Sequence, residues 1–225
     1  MSCVAIIAAL PREVAALVRG VKADPVLASK KIYLYELSHA VVVAAGMGRE
    51  SVTLAVQAAT ERGAVAELIS VGLAGACSPE VAAGQVIEAG EVVDVRTGER
   101  FRAVGDGTAI VASSDSIASV AEKARLHAAY RASAVDMEAA TVARLAQAHG
   151  IPFRAIKAIS DGHDFELAAL AQFADDRGQF RTGAFALHTA LRPGSWAKTV
   201  GLGRNSKRAL VMLHERLGQI LESSR

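Results

Sequence analysis

The alternation of strand and helix patterns along the chain predicts an α/β fold. Apolar runs bounded by Gly, Pro or charged residues are typical of buried strands, and segments with apolar residues at helical spacing lie between several of them. The hydrophobic excess comes mostly from alanine and valine, which suits a buried parallel or mixed sheet covered by helices with small side chains. The 225 residues suffice for one large domain, and no shift in composition marks a second one.

Seven apolar runs are the candidate strands, and the segments between them supply the candidate helices. The strands are predicted at residues 3–9, 31–37, 40–45, 67–72, 85–95, 108–112 and 153–159. A further short strand is expected just before residue 137. Helices are predicted over Glu50–Arg62, Ser116–Tyr130 and Met137–His149, and glycines follow the first and the last of these.

The C-terminal third has a different pattern. Residues 167–191 look helical with a break near Gly178, residues 192–203 form a connection with Pro and Gly, and residues 205–222 form an amphipathic helix. The connection also contains Trp196 and other apolar residues without a regular period. It is interpreted either as a loop that packs on the core or as a lid or membrane-touching surface.

Charge and cysteine usage narrow the class of protein. The 25 basic and 23 acidic residues leave a formal charge of +2, which argues against a protein that binds nucleic acid or anionic lipid. Cys3 and Cys77 have neither CxxC nor His spacing, which disfavours a disulfide framework or a zinc site. The apolar run Val4–Leu10 lacks a basic leader, so it is interpreted as a buried strand, and a cytoplasmic protein is expected.

Three acidic residues follow predicted strands: Glu13, Glu138 and Asp161. In open α/β sheets, ligands bind at the carboxyl ends of the strands, which is where these residues are expected. Each position also has a purely structural interpretation. Glu13 suits the first turn of a helix begun by Pro11, Glu138 lies where Asp136 would cap a helix, and Asp161 precedes Gly162 in a turn. Burial and neighbouring carboxylates are expected to raise the pKa of Asp161, and helix dipoles to keep Glu13 and Glu138 ionised.

Two segments are rich in glycine: Gly46–Arg49 and Gly72–Ala76. Each is interpreted either as a place where the backbone approaches a ligand closely or as a purely structural turn. Neither fits a phosphate-binding loop of the GxxxxGK[ST] type or a dinucleotide fingerprint. His163 follows Asp161 closely, but a surface or core role is expected for it, and no metal site is predicted.

Taken in the order in which they occur along the chain, these segments resemble the purine nucleoside phosphorylase and methylthioadenosine/S-adenosylhomocysteine nucleosidase superfamily. The resemblance spans residues 4 to about 165. Its motifs are Leu10-Pro11-Arg12-Glu13-Val14, Gly46-Met47-Gly48, Val71-Gly72-Leu73-Ala74-Gly75-Ala76, Val135-Asp136-Met137-Glu138-Ala139 and Lys157-Ala158-Ile159-Ser160-Asp161. It implies a single-domain, three-layer α/β/α fold with a central mixed sheet, and an enzyme that cleaves the N-glycosidic bond of a purine nucleoside.

The resemblance also implies roles for individual residues. Glu13 would activate the attacking water, and Asp161 would protonate the purine at N7. The substrate would be bound by Met137 under the sugar, Glu138 at the ribose hydroxyls, Ser160, Ile117 and Ala118 at the base, and Gly72 and Leu73 in the glycine-rich segment.

Two departures from the family pattern bear on the nucleophile. The phosphorylases bind phosphate through an arginine three residues before a serine in the glycine-rich segment, and Ser70 and Leu73 stand at those positions here. Water is therefore the expected nucleophile unless Arg49 or Lys157 binds phosphate.

The chain past Asp161, with Leu191-Arg192-Pro193-Gly194, resembles the hopanoid-associated phosphorylase branch, which would imply a large apolar 5′ substituent.

The sequence thus supports a main hypothesis and two alternatives. The main one is hydrolysis of an adenine-type, 5′-substituted nucleoside without a metal or organic cofactor. The alternatives are phosphorolysis, including that of an adenosyl lipid, and a nucleoside-binding protein without turnover. The resemblance also implies a homo-oligomer, most simply a dimer.

Overall fold

The computed structural model describes residues 3–166 and 196–223. Within these ranges the chain forms nine strands, five α-helices and one 3₁₀ turn. The strands are β1 (Cys3–Ala8), β2 (Tyr33–Glu36), β3 (Ala40–Ala44), β4 (Val65–Ala76), β5 (Val86–Asp94), β6 (Arg100–Arg102), β7 (Ala109–Ser113), β8 (Ala134–Asp136) and β9 (Phe153–Asp161). The helices are α1 (Pro25–Ser29), α2 (Arg49–Thr60), α3 (Val120–Tyr130), α4 (Ala139–His149) and α5 (Trp196–Ser223), and the 3₁₀ turn is Pro11–Glu13.

The strands form one mixed sheet in the order β2-β3-β1-β4-β8-β7-β5-β6, with β9 between β4 and β5. Strands β3, β1, β4 and β9 run parallel, as do β5, β7 and β8. The two groups meet through antiparallel pairing of β4 with β8 and of β5 with β9. Five strands, β4, β9, β5, β7 and β8, therefore pair in a closed ring, which brings the ends of distant segments together.

Helices cover both faces of the sheet. Alternate residues of β1 point to opposite sides: Ala5 and Ile7 pack with α2 and α4, whereas Ile6 and Ala8 pack beneath α5. The latter core includes Leu213 and Leu217 of α5, both fully buried. The predicted three-layer α/β/α architecture with a mixed sheet is confirmed.

The C-terminal helix is longer than the sequence predicted. Helix α5 begins at Trp196, so the prediction of an irregular connection is wrong for residues 196–203. Gly201 and Gly203 lie inside this helix. Each glycine costs a helix about 1 kcal/mol relative to alanine, which the packing of the following turns offsets. The helix predicted for residues 167–191 and the first residues of the connection lie outside the described ranges.

Most of the other elements match their predictions within a few residues. The exceptions are β4, which extends to Ala76 through the glycine-rich segment, and the short elements β6 and α1, which the sequence pattern did not predict. None of the helices in the described ranges is long and apolar enough to cross a membrane.

Candidate active site

A cavity of about 450 Å³ opens where β1, β4, β8 and β9 approach one another. Eight of the residues predicted for the site line it: Glu13, Leu73, Ile117, Ala118, Met137, Glu138, Ser160 and Asp161. The closure of the strand ring explains how segments so distant in the chain reach one cavity.

Glu13 is held by backbone donors at the end of the 3₁₀ turn. Its Oε2 accepts hydrogen bonds from the N–H groups of Ala9 (3.0 Å) and Leu10 (2.8 Å), and its Oε1 accepts one from Leu73 (3.1 Å). Burial raises the pKa of Glu13, and the hydrogen bonds from Leu10 and Leu73 oppose that rise. The carboxyl group is thus fixed in position and is more basic than a solvated glutamate.

Gly72 makes room for this carboxyl group. Its φ of +146° favours glycine, and a Cβ atom there would lie 3.1 Å from Oε1 of Glu13. Gly72 does not itself line the cavity. It acts on the site by leaving space for Glu13.

Glu138 follows β8 and reaches across to the turn before α2. Its Oε1 accepts a hydrogen bond from the Gly48 N–H at 3.0 Å, and its Oε2 accepts one from the Met137 N–H at 3.3 Å. Burial raises the pKa of Glu138 to about 7, with a further rise from the carboxylate of Asp136. Lys157 and the Gly48 bond oppose this rise.

Helix dipoles were expected to favour the ionised forms of Glu13 and Glu138, but burial raises the pKa of each. Glu138 is the N-cap residue of α4, but its side chain makes no capping hydrogen bond there. Glu13 ends a single 3₁₀ turn. The loss of hydration on burial therefore outweighs the small field of the nearby backbone.

Asp161 is the last residue of β9 and is 1% exposed. Its Oδ2 lies 2.5 Å from Nζ of Lys123, and its Oδ1 accepts a hydrogen bond from the Ser160 hydroxyl. Burial raises the pKa of Asp161, as expected, whereas Lys123 and Ser160 oppose the rise. The expected pair of neighbouring carboxylates is wrong: the closest charged partner of Asp161 is an ammonium group.

Neither of the two residues considered for phosphate binding lines the cavity. Lys157 is fully buried, with its Nζ 2.7 Å from Oδ2 of Asp136 and 2.9 Å from Oγ of Ser70. Arg49 donates a hydrogen bond to Asp115 at 2.8 Å and lies 3.6 Å from Asp94. Both cations are therefore already paired with carboxylates.

Sequence reasoning missed part of the cavity. Lys123 of α3, Asp136, and Ser206, Lys207 and Leu210 of α5 also line it, together with Leu202, one of the apolar residues that the sequence assigned to the connection. The only signal for Lys123 was its spacing of three residues from Leu126, which places both side chains on the buried face of α3. His163, by contrast, is exposed and outside the cavity lining.

Metal and cysteine chemistry have no evident site in the part of the chain that the structure describes. No group of three His, Cys, Asp or Glu side chains is arranged to bind a metal ion within residues 3–166 and 196–223. Cys3 is partly buried, and burial raises the pKa of the Cys77 thiol to about 12. The cavity is lined by the carboxyl groups of Glu13, Asp136, Glu138 and Asp161 and by the ammonium group of Lys123.

Solved structures with similar folds are nucleosidases and a related hydrolase. The 5′-methylthioadenosine/S-adenosylhomocysteine nucleosidase of Neisseria meningitidis, bound to methylthio-immucillin-A, has a TM-score of 0.72 at 20% identity, covering 99% of this chain and 100% of that one. The nucleosidase of S. pneumoniae has a TM-score of 0.62 at 25% identity over 82% and 96% of the two chains. A futalosine hydrolase mutant of Helicobacter pylori has a TM-score of 0.63 at 19% identity over 85% and 99%.

Sequence comparison gives the family. No curated protein sequence matches this chain significantly. The sequence model of the phosphorylase superfamily matches residues 4–115 and 107–191, which together span most of the chain. The protein therefore belongs to the phosphorylase superfamily and is an enzyme of its nucleosidase and nucleoside phosphorylase class.

Proposed function

We propose that this enzyme hydrolyses the N-glycosidic bond of a 5′-substituted adenine nucleoside. One observation carries the proposal: Glu13, Glu138 and Asp161 line a single cavity, and each has different hydrogen-bond partners. Cleavage requires a proton for the departing base, an activated nucleophile and support for a sugar with oxocarbenium character. Three carboxyl groups in distinct environments meet these three needs.

Asp161 is the proposed general acid at the base. It lies with Ser160 at the carboxyl end of β9, and Ile117 and Ala118 provide apolar surface in the same cavity. Burial raises the pKa of Asp161, so its proton is retained to a higher pH than in a solvated aspartate. A purine that accepts this proton at N7 departs as a neutral base.

Glu13 is the proposed general base. Three backbone N–H groups fix its carboxylate without using all of its acceptor positions, so it can still accept a proton from water. Its raised pKa increases its basicity. Leu73, whose N–H group orients Glu13, also lines the cavity and keeps this region apolar.

Glu138 and Met137 are proposed to bind the ribose. The Glu138 carboxyl group is fixed by the Gly48 N–H and has acceptor capacity left for a vicinal diol. The pKa of Glu138 is about 7, so both of its protonation states are accessible at neutral pH. Hydrogen bonds from the ribose hydroxyl groups stabilise its ionised form. Met137 supplies polarisable apolar surface next to it.

Water rather than phosphate is the proposed nucleophile. Binding of a dianionic phosphate requires cations that are free to face it. Lys157 is fully buried beneath the site and paired with Asp136, and Arg49 is paired with Asp115 outside the cavity lining. Using either cation would require breaking an existing ion pair.

The 5′ substituent is proposed to be apolar. Leu202 and Leu210 of α5 extend the cavity lining with apolar side chains. The similar nucleosidases are named for methylthioadenosine and S-adenosylhomocysteine. An adenine nucleoside with a thioether or longer apolar group at the 5′ position fits this lining.

The test is release of free base from methylthioadenosine, S-adenosylhomocysteine, adenosine and inosine, with and without phosphate, followed by chromatography. We expect adenine from methylthioadenosine, whose 5′ group is an apolar thioether, at the same rate in both buffers. Asp161→Asn should lower kcat by about 100-fold or more, because the base then leaves without a proton. The matched control is Asp164→Asn, an exposed position three residues later.

Each other outcome contradicts a defined part of the proposal. Base release only with phosphate, together with sugar 1-phosphate, would identify a phosphorylase. Binding of the nucleosides without release, with an affinity unaffected by Asp161→Asn, would identify a binding protein. A near-wild-type rate for Asp161→Asn would remove Asp161 as the acid.

A further inference from the structure

Lys123 is a buried cation at the base end of the cavity, and the proposed mechanism does not use it. Its side chain is 1% exposed although it lies on α3, two residues from the exposed Arg125. A buried lysine is costly unless its ammonium group is fully paired. The hydrogen bonds of Lys123 therefore indicate what this position requires.

The ammonium group has three N–H donors, and each has an acceptor. Nζ donates to Oδ2 of Asp161 at 2.5 Å and to the carbonyl oxygens of Gly162 and Phe165, both at 2.9 Å. In the ionic form of the pair the ammonium group is thus saturated, and Asp161 is a carboxylate. A carboxylate has no proton to give to a departing base.

The same three contacts also suit a neutral amine. If one proton moves from Nζ to Oδ2, the remaining two N–H groups still donate to the carbonyls of Gly162 and Phe165. The nitrogen lone pair then accepts a hydrogen bond from the new Asp161 hydroxyl. No hydrogen bond is lost, and because both side chains are buried the ionic and neutral forms of the pair are closer in energy than in solution.

We propose that Lys123 is a positioning residue that shares one proton with Asp161 and thereby supplies the proton that Asp161 delivers to the base. This inference rests on the proposed function. One Nζ–H bond breaks as an Oδ2–H bond forms, and that O–H bond breaks as the purine N7–H bond forms. The electrons of the glycosidic bond stay with the purine, Glu13 takes a proton from the attacking water, and solvent then restores both groups.

The backbone of a neighbouring strand closes one side of the pair, and the cavity lies on another. A Cβ atom on Gly75 would lie 2.9 Å from Oδ2 of Asp161 and 3.1 Å from Cε of Lys123, so the backbone of β4 packs directly against the pair. Among the described residues, the thiol of Cys77, which follows β4, also faces both members of the pair.

Two substitutions separate proton sharing from simple electrostatic support. Lys123→Arg keeps the positive charge but cannot release a proton, whereas Lys123→Met removes both. In the Lys123→Met variant, Asp161 alone carries the proton. It then loses that proton at a lower pH than the Lys123–Asp161 pair of the wild type loses its shared proton. Proton sharing thus predicts that methionine is tolerated at acid pH and arginine is not, and electrostatic support predicts the reverse order.

The experiment measures kcat and KM for methylthioadenosine between about pH 5 and about pH 9. Lys123→Met should retain most of the wild-type kcat at the acid end and lose at least about 10-fold at the alkaline end, with KM changed little. Lys123→Arg should be at least about 10-fold slower at every pH. Arg125→Met, on the solvent side of the same helix, should follow the wild type. Wild-type rates in Lys123→Arg, or an unshifted profile in Lys123→Met, would overturn the inference.

A second measurement needs only the wild-type protein, in case the variants do not fold. In protein labelled with ¹⁵N-lysine, the Lys123 Nζ resonance should change from ammonium to amine as the pH is raised. This change should cover the alkaline pH range in which kcat/KM falls. An ammonium resonance that persists through this range would overturn the inference. Release of no base by the wild type would instead refute the proposed function itself.

Discussion

At the scale of single residues, the contact between Gly72 and Glu13 shows how the backbone determines the position of a carboxyl group. The glycine has a φ of +146°, and its missing side chain leaves the space that the Glu13 carboxyl group occupies. Gly63 has nearly the same φ, +147°, but nothing lies within 4 Å of a Cβ atom there. The two glycines therefore share one conformational requirement and differ in their neighbours.

Gly72→Ala should lower kcat by about 10-fold or more, because the new methyl group displaces the proposed general base. Gly63→Ala imposes a comparable backbone strain, about 1 to 3 kcal/mol, without touching Glu13. Thermal melting should show a loss of stability in both variants, larger in Gly72→Ala because its methyl group also displaces Glu13, and steady-state kinetics should show a defect only in Gly72→Ala. Equal activity of the two variants would mean that Gly72 has no role in placing Glu13.

The sequence located the acidic residues of the site but did not predict the full set of their pKa shifts. Glu13, Glu138 and Asp161 could be identified because each follows a strand pattern, and strand ends are where α/β folds bind ligands. The pKa of about 7 for Glu138 arises from burial by segments far away in the chain. Lys123 was missed because a lysine within a helix usually faces solvent, and it is the packing of α3 against β7 and β8 that buries this one.

At the scale of elements, α5 supports the site from beneath. His214 donates a hydrogen bond from Nε2 to the Glu13 carbonyl oxygen at 3.0 Å, so the helix is attached to the 3₁₀ turn that carries the proposed base. Leu213 and Leu217 are fully buried in the same layer. The start of α5 was mispredicted because its glycines read as a loop, whereas the amphipathic pattern of its later turns was recognisable.

Leu217→Ala should lower the free energy of unfolding by about 2 to 5 kcal/mol, since it leaves a cavity between α5 and the sheet. Met212→Ala removes a side chain that is 43% exposed on the same helix and should change stability by less than about 1 kcal/mol. Urea denaturation of both variants checks this. A loss of less than about 1 kcal/mol in Leu217→Ala would mean that α5 does not pack tightly on the sheet.

At the scale of the whole molecule, the site places ionisable groups in the core at a cost to stability. Glu138 has a folded-state pKa of about 7 against an ordinary value of 4.5. As pH rises from 4.5 to 7, the unfolded chain loses this proton before the folded protein does. The free energy of unfolding therefore falls over that interval by up to about 3 kcal/mol through Glu138.

Glu138→Gln removes this titration. The variant should gain stability relative to the wild type as pH rises from about 5 to about 7.5, whatever constant offset its altered hydrogen bonds introduce. Chemical denaturation across this pH range gives the difference, with Glu215→Gln as the control for removing an exposed carboxyl group from α5. Parallel stability curves for Glu138→Gln and the wild type would contradict the raised pKa.

The strand order also has a consequence for the folding of the nascent chain. Strand β9 is the last strand in the described sequence, yet it lies between β4 and β5, which are made much earlier. Until β9 is synthesised, both of these strands present unpaired edges that other chains could join, so the growing chain is vulnerable to aggregation. Asp161 arrives with the closing strand, so the enzyme acquires its proposed acid at the step that removes these open edges.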